Sequence, residues 1–394
     1  MDFQISHKAE ELRFPFRAWI EQNLPGEWRD VLAGSVDDDT YVAMRREWGQ
    51  LLFQGEWSAP TWPKEYGGLG LSVDEQVVYL EELVRVGAPE PLNSNPIGVL
   101  GPCLMRYGTQ DQRREYLHSM VSHEAIGCQG FSEPDAGSDL VSLRTRAEPT
   151  TNGFLLTGQK VWTTNAQASD FCYILARTDA NAPKAKGITL MILDMHQSGV
   201  TVRPLRNISG TAEFNEVFLD EAFVPFENVV GPINEGWKVA MYALSEERTT
   251  GIVQRALRLR RDLENLERLD HDLRTGGQGA ANESWQSEVV SVRISARVVE
   301  ATILRNLALI AQGEDLGILS PMVIMTWSLT HQRVRQLAFE RMGLDAMRGV
   351  APYKAWLQSM LFSRGATIAG GTTQIQLNNI ARGLGLPSAT VKGK

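Results

Sequence analysis

Two polar stretches of the chain have residue types that could hold a planar ligand. The segment GFSEPDAGSDLVS (130–142) offers hydroxyls on Ser132 and Ser138, beside small residues that let a backbone approach a ligand closely. The segment GQKVWTTNA (158–166) places Trp162 between polar residues, where its ring could cover a planar aromatic ligand while threonine hydroxyls reach the heteroatoms. Taken alone, each also fits a structural role, as a turn-rich surface loop or as a tryptophan that covers a barrel.

A third stretch, TIAGGTTQIQLNN (367–379), places two glycines directly before a predicted helix. The N–H groups at such a helix N-terminus are suited to binding a diphosphate. Thr373 and Gln376 have the spacing of a capping box, which would define the start of this helix. The structural alternative is a plain Gly-Gly helix entry.

The elements that must position these stretches change in type along the chain. Apolar residues recur at helical spacing before residue 125 and again after residue 231. Between these limits, short β-branched or aromatic segments alternate with Gly, Asn and Asp, which predicts strands of an antiparallel barrel or sandwich. These segments are 153–165, 170–178, 187–193 and 213–219. We therefore expect an α+β multidomain fold with an N-terminal α-helical domain (1–124), a middle β domain (125–231) and a C-terminal helical bundle (232–394).

The longest predicted helix is WQSEVVSVRISARVVEATILRNLALIAQ, residues 285–312. Its apolar positions recur at spacings of three and four and form one continuous seam, as expected in a long-helix bundle. The members of this seam are Trp285, Val289, Val292, Ala296, Val299, Ile303, Leu307 and Ile310. In the next predicted helix, Ser320 is the expected N-cap, Pro321 lies in the first turn and Gly343 marks the end.

Composition and charge narrow the functional class. The chain has 394 residues and a net charge of −8, which argues against nucleic acid as its main partner. No stretch approaches the roughly 20 apolar residues that span a bilayer. The cysteines, Cys103, Cys128 and Cys172, lack metal-ligand spacing, which argues against a zinc site and favours a reduced, cytoplasmic setting.

The pair GFSEPDAGSD and KVWTTN, in a β domain between helical domains, resembles the acyl-CoA dehydrogenase family over essentially the whole chain. The resemblance implies that the β domain and a four-helix C-terminal bundle hold FAD between subunits, with the acyl-CoA thioester between flavin and bundle. It implies FAD contacts by Gln129, Phe131, Ser132, Ser138, Trp162, Thr163, Thr164, Thr372, Thr373 and Gln374, and substrate contacts by Ser138, Arg248, Gly370 and Gly371.

The family oxidises an acyl-CoA to the 2,3-enoyl-CoA: a carboxylate removes the α-proton and the β-hydrogen leaves as hydride to flavin N5. Many members place the base immediately before the Gly-Thr of the C-terminal motif, where this chain has Gly370. Other branches, including isovaleryl- and long-chain acyl-CoA dehydrogenases, place it on an earlier helix before an arginine. In ALSEERTTG (243–251), Glu247 and Arg248 match those positions, so Glu247 is the expected base. Its structural alternative is a solvated charge cluster with Glu246 and Arg248.

The resemblance is weaker in the bundle. The family's Gln-x-Phe-Gly-Gly stretch, which helps to bind a neighbour's FAD, reads here with Glu340 and Arg341 in place of the glycines. The earlier Arg-x-Phe-Gly stretch is absent from the sequence. These departures are similar to the bacterial heterotetrameric branch, which often acts on steroid side-chain thioesters. They leave open a homotetramer or an α2β2 heterotetramer with a second dehydrogenase-like chain.

Two alternatives remain at this point. An acyl-CoA oxidase or nitroalkane-oxidase-like flavoenzyme would use the same scaffold, with oxygen rather than an electron-transferring flavoprotein as the electron acceptor. A non-catalytic subunit would explain the missing C-terminal glutamate, whereas Glu247 and the intact WTTN sequence oppose it. The identity of the acyl group stays undetermined.

Overall fold

The computed structural model describes residues 5–26, 28, 37–348 and 353–386, except for the side chains of residues 245–250 and 252. The chain divides into two compact units. One consists of Met1–Ser35, Val73–Ala88 and Thr249–Lys394, and the other of Val36–Ser72 and Pro89–Arg248. Among the described residues, no helix combines the length and the apolar character needed to cross a membrane.

Along the chain, helices come before and after the strands of a sheet. In chain order the described α-helices are α1 His7–Asn23, α2 Asp38–Gln54, α3 Val73–Val86, α4 Ser94–Tyr107, α5 Gln110–Gln112, α6 His118–Ser122, α7 Gly236–Leu273, α8 Glu283–Ala311, α9 Leu319–Met342, α10 Tyr353–Phe362 and α11 Thr373–Gly383. A π-helical turn, Arg113–Leu117, joins α5 to α6.

The sheet lies in the second unit. Its strands are β1 Gly127–Gly130, β2 Arg146–Pro149, β3 Gly153–Thr164, β4 Phe171–Arg177, β5 Ile188–Asp194, β6 Val200–Leu205, β7 Phe214–Pro225 and β8 Val229–Val230. They follow the order β6-β7-β3-β2-β4-β5-β8, and β1 pairs with β4. Most pairings are antiparallel as expected from the sequence, but β1 and β2 each run parallel to β4.

Two hydrophobic cores cover this sheet. One contains buried residues of α4 and the start of α7 together with β4 and β5, and includes Leu100, Leu104, Tyr173 and Val239. The other joins β3, β4 and β7, where Leu156, Ile174 and Val217 are buried. Strands β4 and β5 are therefore apolar on both faces, which explains their continuous hydrophobic sequences.

The bundle unit confirms the predicted long seam. All eight seam residues of α8 belong to one core, with five of them buried and three packed against it. The predicted N-cap Ser320 is wrong, because α9 begins at Leu319 with Ile318 in the cap position and Ser320 is buried in the first turn. Gly343 ends this helix as expected.

Within the bundle unit, a buried carboxylate joins α1 to α3. Glu82 is almost fully buried and accepts hydrogen bonds from the guanidinium groups of Arg13, Arg17 and Arg85. Burial alone would raise the pKa of Glu82, but the hydrogen bonds from these three arginines outweigh it and lower the pKa to about 2.

Candidate functional site

A β-bulge near the end of β3 turns Trp162 out of the sheet. Strand β3 pairs with β7 so that Lys160 lies opposite Val217 and Thr163 opposite Asn215, which leaves one extra residue on β3 between these pairs. The extra residue reverses the alternation, because Lys160 and Thr163 both point inward while Trp162 and Thr164 are exposed. The Trp162 side chain is 59% exposed, and its backbone has φ +61°.

The exposed Trp162 ring stands edge-on to Phe214, with 5.9 Å between ring centroids. Behind it lie polar atoms that are buried but find no hydrogen-bond partner among the described residues, namely Thr163 Oγ1, Asn165 Oδ1 and Asn215 Oδ1. The Asn215 amide donates to the carbonyl of Thr163 at 3.0 Å and to Gln167 Oε1 at 2.6 Å, which fixes the end of the strand. The WTTN sequence thus combines an open aromatic surface with polar atoms held on a rigid strand.

The polar loop after β1 is held against β3 by a buried ion pair. Lys160 Nζ lies 2.8 Å from Glu133 Oε1, and Lys160 is 0% exposed and Glu133 7% exposed. The Glu133 carboxylate also accepts from the backbone N–H groups of Arg144 at 2.6 Å and Thr145 at 2.9 Å. Burial raises the pKa of Glu133, but the Lys160 charge and these hydrogen bonds outweigh it and lower the pKa below its usual value.

The predicted ligand residues of this loop differ in exposure. Ser138 is exposed, and Ser132 and Gln129 are half-buried, with Gln129 Oε1 3.5 Å from Asn95 Nδ2. The Phe131 side chain is buried edge-on to Tyr173, with 5.7 Å between centroids. The structure therefore brings Ser132 and Trp162 onto neighbouring segments: the Ser132 carbonyl accepts from the N–H of Val161 at 3.0 Å.

The C-terminal predicted residues lie in the other unit, on the turn before α11. Gly370 and Gly371 both have left-handed backbones, with φ +69° and φ +101°. The predicted capping box is wrong: Thr372 is the N-cap, and its hydroxyl accepts from the N–H of Ile375 at 3.3 Å. The buried Gln376 side chain instead donates back to the carbonyls of Gly370 and Gly371, at 3.0 and 3.2 Å. Thr373 and Gln374 are the first residues of α11.

Glu247 and Arg248 lie within the helical backbone of α7, Gly236–Leu273. Their side chains are outside the described residues. The roles expected of them from the sequence are taken up again below as proposals.

The bundle residues that replace the family's glycines are engaged in ion pairs. Arg341 Nε lies 2.6 Å from Asp270 Oδ1, its Nη2 donates to the Gly279 carbonyl at 2.8 Å, and its guanidinium stands over the Trp285 ring. Glu340 accepts from Arg333 at 2.9 Å. At these two positions the chain therefore departs from the Gly-Gly pair that the resemblance implies, and both side chains are ion-paired.

Sequence reasoning did not single out the pair Glu133–Lys160, although both residues lie inside the two motifs it relied on. The signal that was available is the alternation of β3. Lys160 lies on the same face of β3 as the apolar Phe154 and Leu156. A lysine on this inward face requires a buried partner.

Three family models match consecutive parts of the chain. The acyl-CoA dehydrogenase N-terminal domain matches residues 6–124, the middle domain residues 128–222 and the C-terminal domain residues 234–385. The chain belongs to the acyl-CoA dehydrogenase family. The expected fold of helical, β-sheet and helical parts is confirmed, as is the expectation that the protein is an enzyme of this family, whose members typically depend on FAD.

Similar proteins cover nearly the whole chain. The acyl-CoA dehydrogenase IpdE1 of Mycobacterium tuberculosis is 35% identical over 383 residues, or 96% of this chain and 98% of the relative. Its namesake in Mycolicibacterium smegmatis is 33% identical over 400 residues, or 98% of this chain and 100% of the relative.

Two similar solved structures are each named for two components. The Tcur3481–Tcur3483 steroid ACAD matches with a TM-score of 0.85 and 27% identity, over 99% of this chain and 100% of that one. The ChsE4–ChsE5 complex from Mycobacterium tuberculosis matches with a TM-score of 0.83 and 26% identity, over 99% and 100%.

Proposed function

We propose that this enzyme oxidises an acyl-CoA thioester to the 2,3-enoyl-CoA with FAD, and that Glu247 is the base. The observation that carries the proposal is the exposed Trp162 on its bulge, within a chain that matches the family's three domain models. An exposed aromatic ring on a left-handed backbone is costly for folding alone, which favours a role in holding a ligand.

The residues around Trp162 fit an isoalloxazine ring. An open indole face suits a planar aromatic ligand. The oxygens of Thr163 and Asn165, which find no partner among the described residues, are buried behind this face and are able to bond ordered water. Ser132 and the exposed Thr164 and Ser138 add hydroxyls on the neighbouring backbone. In the other unit, the N-terminus of α11 after Gly371 is suited to a diphosphate.

In this proposal Glu247 removes the α-proton of the thioester. Such a proton is too weakly acidic for a carboxylate in bulk water, so the site has to exclude water from Glu247 and stabilise the thioester oxygen. The backbone N–H of Gly370 is our candidate donor to that oxygen, since it meets no acceptor among the described residues. Arg248 contributes a positive charge to the substrate side. Bound FAD would supply the hydride acceptor.

Substitution of the proposed base tests this assignment. We expect Glu247→Gln to retain FAD and to lose reduction of the flavin by a cognate thioester under anaerobic conditions, by about 10³-fold or more. Glu246→Gln is the matched control, because residue 246 points about 100° away around the helix. Wild-type rates of bleaching in Glu247→Gln would refute the assignment.

Aerobic turnover assays and the flavin content of the purified protein separate the alternative functions. Rapid release of hydrogen peroxide during turnover would indicate an oxidase, whereas turnover that requires an electron-transferring flavoprotein supports the dehydrogenase. A protein that purifies without flavin, both alone and with a co-expressed partner chain, would indicate a non-catalytic subunit. We also propose that the enzyme works in the cytoplasm, as expected from its scattered cysteines.

We further propose a polycyclic, steroid-derived acyl group and an α2β2 heterotetramer as the assembly. The names of two similar structures support this reading, since one is called a steroid ACAD, the other a complex, and both names join two components. The ion-paired Glu340 and Arg341 also support it, because they occupy the positions where the family's glycines help to bind a neighbour's FAD. A homotetramer remains the alternative assembly.

An exposed apolar stripe on α8 is our candidate surface for the partner chain. Val290, Ile294 and Val298 are four residues apart and 54%, 61% and 53% exposed. They lie on one face of the helix, and a shallow depression of about 380 Å³ beside them is lined by Arg293, Ile294, Arg297, Val298 and Ala301. An unbroken apolar stripe on a helix is typical of an interface.

Assembly is measured best by co-expression with a candidate second chain from the same operon. We expect a complex whose mass corresponds to two copies of each chain, and fewer bound FAD molecules than chains. Ile294→Glu should dissociate it, while Ile294→Val, which keeps the stripe apolar, should not. A homotetramer with one FAD per chain would refute the heterotetramer.

A further inference from the structure

The buried pair of Glu133 and Lys160 joins the two segments that carry the proposed flavin contacts. Glu133 directly follows Ser132, and Lys160 lies two residues before Trp162. Lys160 Nζ bonds both the Glu133 carboxylate at 2.8 Å and the carbonyl of Phe131 at 3.2 Å. One lysine therefore contacts the residues on both sides of Ser132.

The pair also lies at the start of the bulge. Lys160 is the last residue of β3 in regular register with β7 before the extra residue. The next residue, Val161, donates its N–H to the carbonyl of Ser132 at 3.0 Å. Any movement of the loop relative to Lys160 would therefore change the position of Ser132 relative to Trp162.

A gain in folding stability is a weak explanation for a buried ion pair of this kind. Removing two charges from water costs several kcal/mol per ion, and apolar replacements of a buried ion pair are often equally stable. Both oxygens of the Glu133 carboxylate nevertheless accept hydrogen bonds, from two backbone N–H groups and from Lys160. This directional network fixes geometry, which an apolar contact of the same volume would not do.

We propose that Glu133 and Lys160 are positioning residues that set the separation of Ser132 and Trp162 for flavin binding. The proposal rests on the function proposed above. The pair acts through the two residues it holds and need not contact the ligand itself.

The test compares Glu133→Gln, Lys160→Met and the double variant with wild type. Three quantities are measured: the melting temperature of the apoprotein, the dissociation constant of FAD by titration of flavin fluorescence, and the visible circular dichroism of bound flavin. Each single variant should melt at a lower temperature, since it leaves one buried charge uncompensated. Each should also bind FAD at least about 10-fold more weakly.

The double variant decides between positioning and simple stability. We expect it to regain most of the melting temperature, because no unpaired charge remains. Its FAD affinity should stay at least about 10-fold below wild type, with an altered circular dichroism spectrum, because the directional hydrogen bonds are lost. This variant keeps the test decisive even where a single variant fails to fold.

Glu82→Gln is the matched control. It also removes a buried carboxylate that accepts from three donors, but in the bundle unit. We expect it to lower the melting temperature and leave FAD affinity within about twofold of wild type. Recovery of wild-type FAD affinity in the Glu133→Gln/Lys160→Met protein would overturn the positioning role and leave the proposed function intact. A wild-type protein that takes up no FAD, alone or with its partner chain, would refute the proposed function as well.

Discussion

Cys128 and Cys172 lie directly opposite each other on the parallel strands β1 and β4, and both thiols are buried. The pKa of the Cys172 thiol is well above its usual value, because the neighbouring Cys128 thiol and burial both favour the protonated form. Cys103 is also buried. We therefore expect none of the three thiols to react within minutes with an aromatic disulfide reagent in the native protein, because the reagent does not reach a buried sulfur.

Unfolding in denaturant should release three equivalents of reactive thiol. Ser138→Cys, on the exposed part of the loop, serves as a positive control and should react at once. Titration of one or more equivalents in the native wild-type protein would contradict the burial of these cysteines.

The Glu82 cluster predicts a defined loss of stability in acid. The folded-state pKa of Glu82 is about 2, below the ordinary value of 4.5, so its contribution is present above the unfolded-state pKa and is lost as the pH falls through the folded-state pKa. We expect Glu82→Gln to cost about 3 kcal/mol at neutral pH. The difference from wild type should shrink as the pH falls from about 5 towards about 2.

This difference can be followed by thermal unfolding at several pH values. Glu81→Gln is the control: among the described residues the Glu81 carboxylate accepts only from Arg13, so its loss should cost less than about 1 kcal/mol. A gap between Glu82→Gln and wild type that is constant with pH would show that the three arginines do not favour the ionised carboxylate.

The two glycines before α11 should respond differently to a side chain. At Gly370 the space is open, so Gly370→Ala carries only the strain of a left-handed backbone, about 1 kcal/mol. A Cβ at Gly371 would in addition lie 2.7 Å from the Gln376 amide nitrogen, so Gly371→Ala should cost about 2 kcal/mol or more. Gly365→Ala, with open space and no left-handed backbone, should change stability little. Melting temperatures that decrease from Gly365→Ala to Gly370→Ala to Gly371→Ala would confirm the geometry of this turn.

Trp162 should show a trade-off between folding and binding. In Trp162→Gly the left-handed backbone is relaxed and only an exposed ring is removed, so the apoprotein should melt at the same temperature or higher. FAD affinity should fall at least about 10-fold, since the ring that we propose to cover the ligand is gone. Trp162→Phe should retain most of the affinity. Wild-type FAD binding by Trp162→Gly, measured by fluorescence titration, would contradict the assignment.

The sequence predicted those parts of the fold that depend on periodicity. The α8 seam was read from spacings of three and four, and the strands β3, β4, β5 and β7 from short β-branched segments. The short strands β1 and β2 were not predicted, because their parallel pairing with β4 is set by long-range packing rather than by local pattern.

At the candidate site, the sequence did not predict the geometry of the segments that carry the motifs. The outward turn of Trp162 depends on one extra residue relative to β7, and a bulge is invisible without the pairing register. The capping of α11 shifted by one residue for a similar reason: Thr372 and Thr373 are both good caps, and the buried Gln376 side chain decides between them.

The backbone of Trp162 has a consequence for how this lineage can change. Natural selection on folding alone would replace a strained aromatic residue there, since glycine or asparagine adopts that conformation with less penalty. A descendant gene whose product no longer bound its coenzyme should therefore lose the indole early, before its hydrophobic cores decay. Position 162 would then serve as an early marker of pseudo-enzyme evolution among paralogues of this chain.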